Sequence, residues 1–313
     1  MLIRMDHLPN PMTVTSRHPE LVEHAALLAA SEGYNVTGLD RVRILKTGAV
    51  LRDVPVLYEP GAVFVLQGSK RGILNGNIFR YDEEHYLAIS VPVAFRMESE
   101  ATPERPLMAL YVEFDLGLAA EMASEVEKWH PEMAASKAQS LVSSRMSPEI
   151  QDVLLRLLRV LRNPVETSIL GPGVLRELYY RIIVGPQGEA MIAALQQKGP
   201  SRRILLSLAR LRENYSSEIS VADLAREAGM SVPSYHAHFR ELTGTSPMQY
   251  IKSLRLHAAR LMIARQDRAI ADVAMSVGYV SSAQFSRDFK RRFGRTASEE
   301  GRWVRERLGQ LSP

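Results

Sequence analysis

The last third of the chain contains the same short pattern twice. The first copy comprises Leu224, Ala225, Gly229, Ser231, Tyr235, Phe239 and Gly244, and the second comprises Val273, Ala274, Gly278, Ser281, Phe285, Phe289 and Gly294. The alanines and the first glycines lie 49 residues apart and the later pairs 50 apart, so one residue is inserted in the turn before Ser281. Each copy predicts a short helix, a glycine-bearing turn and a second helix, the pattern of a helix-turn-helix. Because single helical hairpins of this kind are common, it is the repetition in register that indicates a double DNA-reading module.

Basic residues are concentrated in the same part of the chain. The 313 residues carry a net charge of +4, but residues 201–313 hold 19 Lys and Arg against 11 Asp and Glu, whereas the first 200 residues hold 20 against 24. This asymmetry favours a polyanionic partner for the C-terminal part and an ordinary acidic domain before it. A basic domain that serves only solubility is the alternative, and charge alone leaves the two interpretations even.

The composition excludes several classes of protein. The chain has no cysteine, which excludes disulfides, thiolate nucleophiles and cysteine-ligated zinc. Its first residues lack the apolar core of a secretory signal, and no apolar run approaches the ~20 residues of a membrane span. We therefore expect a cytoplasmic protein of about two domains that has no membrane partner.

The pattern of turns and apolar runs predicts an α+β organisation. Residues 1–18 are predicted to be a flexible tail, and residues 19–32 a short helix. Residues 35–114 contain many short β-rich runs separated by turn residues, including Asn75-Gly76, a strong hairpin signal, so we expect an antiparallel barrel or sandwich. Helices are predicted over 115–198, at Leu116 to Trp129, from Ser147-Pro148 onward, at Gly173 to Ile183 and at Pro186 to Gln197. Gly199-Pro200 marks the boundary to an all-helical domain over 201–313.

In the first unit, residues 220–244, Tyr235 and Phe239 lie four positions apart and are predicted to be core. Serines at positions 220 and 231 are the predicted caps of its two helices. The opposite face of the second helix is the face that a recognition helix presents to the major groove. The predicted DNA contacts on it are Pro233, His236, Ala237 and Arg240.

The second unit, residues 269–294, has Phe285 and Phe289 as the corresponding core pair. Its predicted DNA contacts are Ser282, Ala283, Gln284, Ser286, Arg287, Lys290 and Arg291. Arginine can pair with guanine and glutamine with adenine, so Arg287 and Gln284 are the best candidates for base contacts. Lys290, Arg291 and Arg292 suit phosphates. The alternative is a solvated helix face, although capped and duplicated faces are uncommon, and we expect the second unit to carry more base specificity than the first.

A single predicted helix, residues 247–265, joins the two units. At 1.5 Å per residue its 19 residues span about 28 Å. Successive major-groove segments on one side of B-DNA lie about 34 Å apart. A rigid connection of this length can therefore hold two reading helices one turn of DNA apart.

The residues from Ile204 to about Val304 resemble the AraC/XylS family of transcriptional regulators. The motifs that carry the resemblance are Leu224-Ala225-x3-Gly229-Met230-Ser231, Phe239-Arg240-x3-Gly244-x-Ser246-Pro247-x2-Tyr250, Arg255-Leu256-x2-Ala259-Arg260, Ile270-x2-Val273-Ala274-x3-Gly278-Tyr279 and Phe285-x3-Phe289-Lys290-x3-Gly294. The resemblance places eight of the predicted contacts at family base-reading positions: Pro233, His236 and Ala237 on the first recognition helix, and Ser282, Ala283, Gln284, Ser286 and Arg287 on the second. One departure is that the proline usual after the last glycine is absent, although Thr296 can still cap the final helix.

The N-terminal part resembles the effector domain of one branch of that family. The shared motifs are Leu66-Gln67-Gly68-Ser69-Lys70 and Leu175-Arg176-Glu177-Leu178-Tyr179-Tyr180-Arg181, followed by Gly185-Pro186-Gln187-Gly188. The likeness implies a cupin-like barrel that binds an unknown small-molecule effector, helices that form a homodimer, promoter half-sites in double-stranded DNA as partner, and RNA polymerase as a further partner of an activator. The leucines at 154, 157, 158 and 161 fit either a dimer seam or core packing.

Polar or amphipathic residues within the strand runs are the candidate effector contacts: Arg52, Tyr58, Gln67, Arg80, Tyr81 and Tyr86. Because side chains alternate along a strand, about half of them are expected to face solvent. His85 is the lone histidine of the barrel region, so the His pair of a metal-binding cupin is missing, and we predict no metal, no cofactor and no enzyme activity. An enzyme, either a cupin catalyst or an alkyl-transfer DNA-repair protein, and a non-specific architectural DNA binder are the competing interpretations.

Overall fold

The computed structural model describes residues 18–303 except 75, 132–138, 186–187, 189–191, 193–198 and 265–267. Residues 1–17 of the predicted tail and most of the predicted helix from Pro186 to Gln197 lie outside the described residues. The N-terminal part begins with α1 (His18–Leu28). Ten strands follow among the described residues: β1 (Gly33–Val36), β2 (Val42–Thr47), β3 (Leu51–Tyr58), β4 (Gly61–Gln67), β5 (Ser69–Leu74), β6 (Asn77–Asp82), β7 (His85–Ile89), β8 (Val93–Glu100), β9 (Leu107–Glu113) and β10 (Leu141–Arg145).

The described strands form one antiparallel sheet. Its order is β1-β2-β9-β4-β7-β6-β5-β8-β3, with β10 paired to β7. In the predicted hairpin, Leu74 pairs with Asn77 and Gly76 has a positive φ of 82°, a conformation that glycine adopts without strain. Strands β1, β8 and β10 coincide with none of the predicted β-rich runs. The structure thus confirms the antiparallel barrel-like sheet and adds three strands to it.

Burial along the strands follows from what covers each face of the sheet. Strands β4 and β9 are buried on both faces, because helices cover one face and the curved sheet closes over the other. Strand β8 instead alternates, with Val93, Phe95 and Met97 buried and the residues between them partly exposed. Two apolar cores result, one under the helices and one in the barrel interior.

Helices α2 (Leu116–Trp129), α3 (Pro148–Val160) and α4 (Pro164–Ile183) complete the N-terminal part. The prediction that a helix begins at Gly173 is wrong, since α4 begins at Pro164, where Asn163 caps the amides of Val165 and Glu166. The sequence Gly171-Pro172-Gly173 reads as a break, but Gly171 packs against Leu39 and the helix continues through it. The leucines at 154, 157, 158 and 161 are all buried in the core under the helices, which favours core packing over a dimer seam.

The C-terminal part consists of α5 (Gly199–Glu213), α6 (Val221–Glu227), α7 (Val232–Thr243), α8 (Pro247–Ala264), α9 (Ile270–Ser276), α10 (Ser282–Phe293) and α11 (Ala297–Trp303). Helix α8 is shared by two cores. Its residues Tyr250, Ile251 and Leu254 pack in the first unit with α5, α6 and α7, whereas Leu256, Ala259 and Ile263 pack in the second unit. The 18 residues of α8 span about 27 Å. None of the helices in the described ranges combines the length and apolar character that a bilayer crossing needs.

Candidate DNA-reading surface and ligand cavity

Local caps fix the first unit. The Ser220 hydroxyl accepts the amide of Asp223 at 3.4 Å, and the Ser231 hydroxyl accepts the amide of Ser234 at 3.4 Å. Between the helices Gly229 has φ +59°, and after them Gly244 has φ +72° in the left-handed region. Helix α7 is therefore held at both ends.

The second unit repeats this construction under tighter packing. The Ser281 hydroxyl accepts the amide of Gln284 at 3.3 Å, and Gly294 ends α10 with φ +75°. A Cβ on Gly278 (φ +88°) would lie 2.3 Å from the carbonyl oxygen of Ser216, so only glycine fits there.

Helix α11 begins without the usual proline of this position. The Thr296 hydroxyl accepts the amide of Glu299 at 3.3 Å, and the Glu299 carboxylate accepts the Thr296 amide at 2.8 Å. Helix α11 therefore begins with a reciprocal capping box in place of the proline.

The predicted DNA contacts lie opposite the buried aromatic pairs. Tyr235, Phe239, Phe285 and Phe289 are all fully buried, as predicted. The exposed members of the predicted set are Pro233, Ala237, Arg240, Ser282, Ala283, Gln284, Ser286, Arg287, Lys290 and Arg291, and His236 is half-buried. The exposed set therefore forms the outer face of α7 and α10, the face available to a DNA groove.

Asp288 anchors the second recognition helix to α8. Its carboxylate is 6% exposed and pairs with the Lys252 ammonium of α8 at 3.1 Å. It also pairs with Arg291, so one of the predicted phosphate contacts is tethered to its own helix. This buried acid was not among the predicted residues, because one aspartate within a basic helix gives no periodic signal.

Arg255 joins the two units to each other. From α8 its guanidinium donates to the carbonyls of Tyr215 (2.6 Å) and Ser217 (2.8 Å) in the loop before α6, and to the carbonyl of Gly278 (2.9 Å) in the second turn. Partial burial lowers the pKa of Arg255. A single side chain thus fixes the loop of the first unit against the turn of the second.

The barrel docks on α5, α8 and the end of α10. Arg212 of α5 pairs with Glu59 at 2.7 Å, and burial raises the pKa of Glu59 while Arg212 opposes that rise. Arg260 of α8 donates to the Pro55 carbonyl at 3.1 Å, and Arg96 of β8 donates to the carbonyl of Arg292 in α10 at 3.2 Å. These contacts place the barrel directly beside the helix that joins the two reading units.

A cavity of about 380 Å³ lies at this contact. Its apolar wall includes Leu45, Leu51, Val54, Met97, Leu254 and Leu261, and its polar wall includes Tyr34, Arg43, Tyr58, Glu59, Tyr111, Glu113, Arg212, Tyr215, His257 and Arg260. The volume falls within the range of small-molecule sites, which are commonly apolar with a few polar groups. Because the wall combines β1, β2, β3, β8, β9, α5 and α8, a molecule bound here contacts both domains.

The barrel side of the cavity leads to a buried lysine. The Lys70 ammonium is 1% exposed and donates to the Tyr58 hydroxyl at 2.9 Å. It also lies 5.7 Å from the ring centre of Tyr58 and 5.6 Å from that of Tyr81. Burial lowers the pKa of Lys70 and raises that of Tyr58 to about 12. Lys70 belongs to one of the family motifs but was not predicted as a site residue, since lysine is ordinarily exposed.

The helical side of the cavity presents His257 of α8. Its ring is 9% exposed and meets Phe293, the last residue of α10, edge-on at 5.5 Å. Its Nε2 atom is buried and has no hydrogen-bond partner within the described ranges. Burial, then Arg292 and Arg260, hold the pKa of His257 well below its usual range, so the imidazole is neutral at pH 7.

The predicted effector contacts do not lie together. Tyr58 lines the cavity and Tyr81 lies behind it, beside Lys70. Arg52 and Arg80 line a separate open depression on the surface, and Arg80 pairs there with Asp82. Two others are engaged elsewhere, since Gln67 donates to the Pro106 carbonyl and Tyr86 stacks on Phe64 in the other core. Among the residues that the structure describes, no three side chains are grouped as a metal ion would require, and His85 pairs with Asp82.

Fold and site together define a two-domain helix-turn-helix protein with an N-terminal barrel. Comparison with known families gives the same division: a profile described as "AraC-type transcriptional regulator N-terminus" matches residues 38–190, and one described as "Helix-turn-helix domain" matches residues 224–302. The chain belongs to the AraC family of transcriptional regulators.

Individual relatives match only part of the chain. The HTH-type transcriptional regulator ExsA of Pseudomonas aeruginosa is 29% identical over 124 residues, 40% of this chain and 44% of ExsA. The RCS-specific activator RclR of Escherichia coli is 39% identical over 94 residues, 30% of this chain and 32% of RclR. The thermoregulatory protein LcrF of Yersinia pestis is 27% identical over 166 residues, 52% of this chain and 60% of LcrF. The chain thus spans 32% to 60% of the length of these curated relatives.

The whole fold is similar to that of ToxT from Vibrio cholerae. The structure of ToxT with bound unsaturated fatty acid superimposes with a TM-score of 0.57 over 87% of this chain and 96% of ToxT, at 11% sequence identity. At that identity the likeness concerns the fold alone, and it supports the predicted arrangement of barrel and double helix-turn-helix.

Proposed function

We propose that the chain is a sequence-specific DNA-binding regulator of transcription that is controlled by a small molecule bound between its two domains. The observation that carries the proposal is the pair of capped recognition helices, α7 and α10. Each has an exposed polar face, and helix α8 joins the two. The excess of basic residues after position 200 supports a DNA partner.

The cavity beside α8 is the proposed effector site. It is of small-molecule size, its wall is largely apolar, and α8 contributes to that wall and to the cores of both reading units. ToxT, with a similar fold, has been solved with an unsaturated fatty acid bound. We propose that an effector with an apolar body shifts the population between arrangements of the two units.

The further partners follow from this role. We propose promoter half-sites in double-stranded DNA, RNA polymerase if the protein activates, and a homodimer formed through residues 115–198, in the cytoplasm where that DNA lies. The exposed apolar side chains Val165, Ile169 and Leu170 at the start of α4 are available to a second copy. A monomeric full-length chain in sedimentation would contradict the dimer. The relatives reported above are regulators, which supports a role other than catalysis.

The function is tested first by mapping the DNA bound by the full chain across its genome, which supplies the cognate site. On that site we expect Arg287→Ala to weaken binding by about 1–3 kcal/mol and to relax the preference at one base pair.

Lys290→Ala is the matched control, because a phosphate contact weakens binding to cognate and random DNA alike. If Arg287→Ala also weakens both equally, Arg287 is a phosphate contact. If the full chain binds cognate and random duplexes with equal affinity, the protein is an architectural DNA binder and the proposed regulator function is wrong.

A further inference from the structure

We propose that the cavity between the barrel and α8 binds a carboxylate whose negative charge pairs with Lys70 in the barrel interior. The inference rests on the proposed function, because it names the chemical class of the effector that this cavity would take. It also names the residue that recognises the charge.

The first argument is that Lys70 lacks a counter-charge. Its ammonium is 1% exposed, and its hydrogen-bond partner is the neutral hydroxyl of Tyr58. Across the described ranges, no carboxylate forms an ion pair with it. A cation buried among apolar side chains is strongly unfavourable unless an anion accompanies it. A ligand that brings an anion would therefore gain a strong interaction that this chain leaves unused.

The second argument is a surplus of hydrogen-bond donors at the same place. The Tyr58 hydroxyl accepts from Lys70, and the buried hydroxyls of Tyr34 and Tyr81 also interact with that of Tyr58. The rings of Tyr58 and Tyr81 lie within 6 Å of the Lys70 ammonium. An ammonium offers three donors and each phenol one, whereas a carboxylate only accepts and can take several of them. The cluster is thus complementary to an oxyanion and poorly suited to a second donor.

The third argument is reach. Tyr34 and Tyr58 both line the cavity, so the Lys70 ammonium lies directly behind the wall, 2.9 Å beyond the Tyr58 hydroxyl. The Tyr58 side chain is therefore what separates the cavity from Lys70. The barrel-side wall also includes Leu51, Val54 and Met97, whose apolar surface suits a hydrocarbon body. Its two carboxylates already have basic partners, since Glu59 pairs with Arg212 and Glu113 pairs with Arg41.

The arginines of the wall are weaker candidates for the same role. Arg212 already pairs with Glu59 at 2.7 Å, and Arg260 pairs with the buried carboxylate of Glu300 at 2.7 Å. Arg43 on β2 is the remaining arginine of the wall and provides the rival site. A test must therefore separate Lys70 from Arg43.

The test is calorimetric titration of the full-length protein with straight-chain carboxylates from hexanoate to hexadecanoate and with the matched primary alcohols. We expect at least one carboxylate to bind about ten- to a hundred-fold more tightly than its alcohol. Lys70→Met should remove this preference, and Arg43→Met should keep it. Tyr81→Phe, which retains the cation, should reduce the preference only in part.

Because methionine has a similar length and carries no charge, Lys70→Met should fold, and its circular dichroism and DNA binding verify this. Equal binding of every carboxylate and its alcohol by the wild-type protein, or no binding of either, would overturn the inference. So would loss of the preference in Arg43→Met but not in Lys70→Met.

Measuring both carboxylate binding and DNA affinity on the same protein distinguishes this inference from the proposed function. If carboxylates bind through Lys70 but leave the affinity for cognate DNA unchanged, the charge recognition stands and the effector role is wrong. If some other ligand changes DNA affinity and no carboxylate preference exists, the effector role stands and the Lys70 inference is wrong.

Discussion

Replacing Phe289 by alanine is expected to lower the free energy of unfolding of the second reading unit by about 3–5 kcal/mol. Phe289 is fully buried, with its ring centre 5.3 Å from that of Phe285 and 4.5 Å from that of Phe293. The substitution removes the middle of this aromatic row and leaves a cavity that α10 cannot fill without moving.

The two units have separate cores, so the loss should be local. In hydrogen exchange of the full chain, the amides of α10 should lose protection while those of α7 retain most of theirs, since Phe239 and its neighbours are untouched. Ser286→Ala, exposed on the same helix, is the control and should change stability by less than about 0.5 kcal/mol. An equal loss of protection in α7 and α10 would contradict the existence of two separable cores.

Replacing Arg255 by methionine is expected to have the second large effect on stability. Its guanidinium donates to three backbone carbonyls, and a hydrogen bond from a charged donor contributes about 1.5–3 kcal/mol. Because the side chain is partly exposed, water replaces part of that contribution, and we expect the free energy of unfolding to fall by about 2–4 kcal/mol.

The consequence for DNA should be larger for paired than for single sites. Without Arg255 the loop before α6 and the turn at Gly278 are no longer fixed to each other. The variant should bind an isolated half-site nearly as well as wild type while losing the advantage of a duplex that carries both. Arg302→Met, an exposed arginine on α11, is the matched control. A variant that keeps the full two-site advantage would show that α8 alone sets the spacing.

The helical half could be predicted closely because its signals are local. Serine caps, glycine turns and aromatic pairs four residues apart each act within one or two turns, and the helices begin where Ser231 and Ser281 place them. The strand β8 was missed even though Val93, Phe95 and Met97 alternate with Arg96 and Glu98, because its charged residues obscured the pattern. Strand β10 has no comparable signal, since its pairing with β7 is a long-range contact.

The cavity could not be predicted, because it arises where two domains meet. Tyr58 was predicted as an effector contact, but only docking shows that His257, two hundred residues later, shares the cavity with it. The burial of Lys70 depends likewise on closure of the sheet around Tyr58 and Tyr81. Neither the composition nor the periodicity of the sequence shows which lysine is buried.

Because helix α8 runs without a break between the two units, it affects how tightly the protein binds a duplex that carries two half-sites. Once one unit is bound, the other meets its half-site as an intramolecular event, at an effective concentration set by α8 rather than by the amount of protein. A rigid link makes that concentration high at one spacing and close to zero at others. Moving one half-site by about five base pairs would turn it to the opposite side of the duplex, where the second unit could not reach it. The binding free energy that the second unit contributes would then be lost in full, although every base that it reads would still be present.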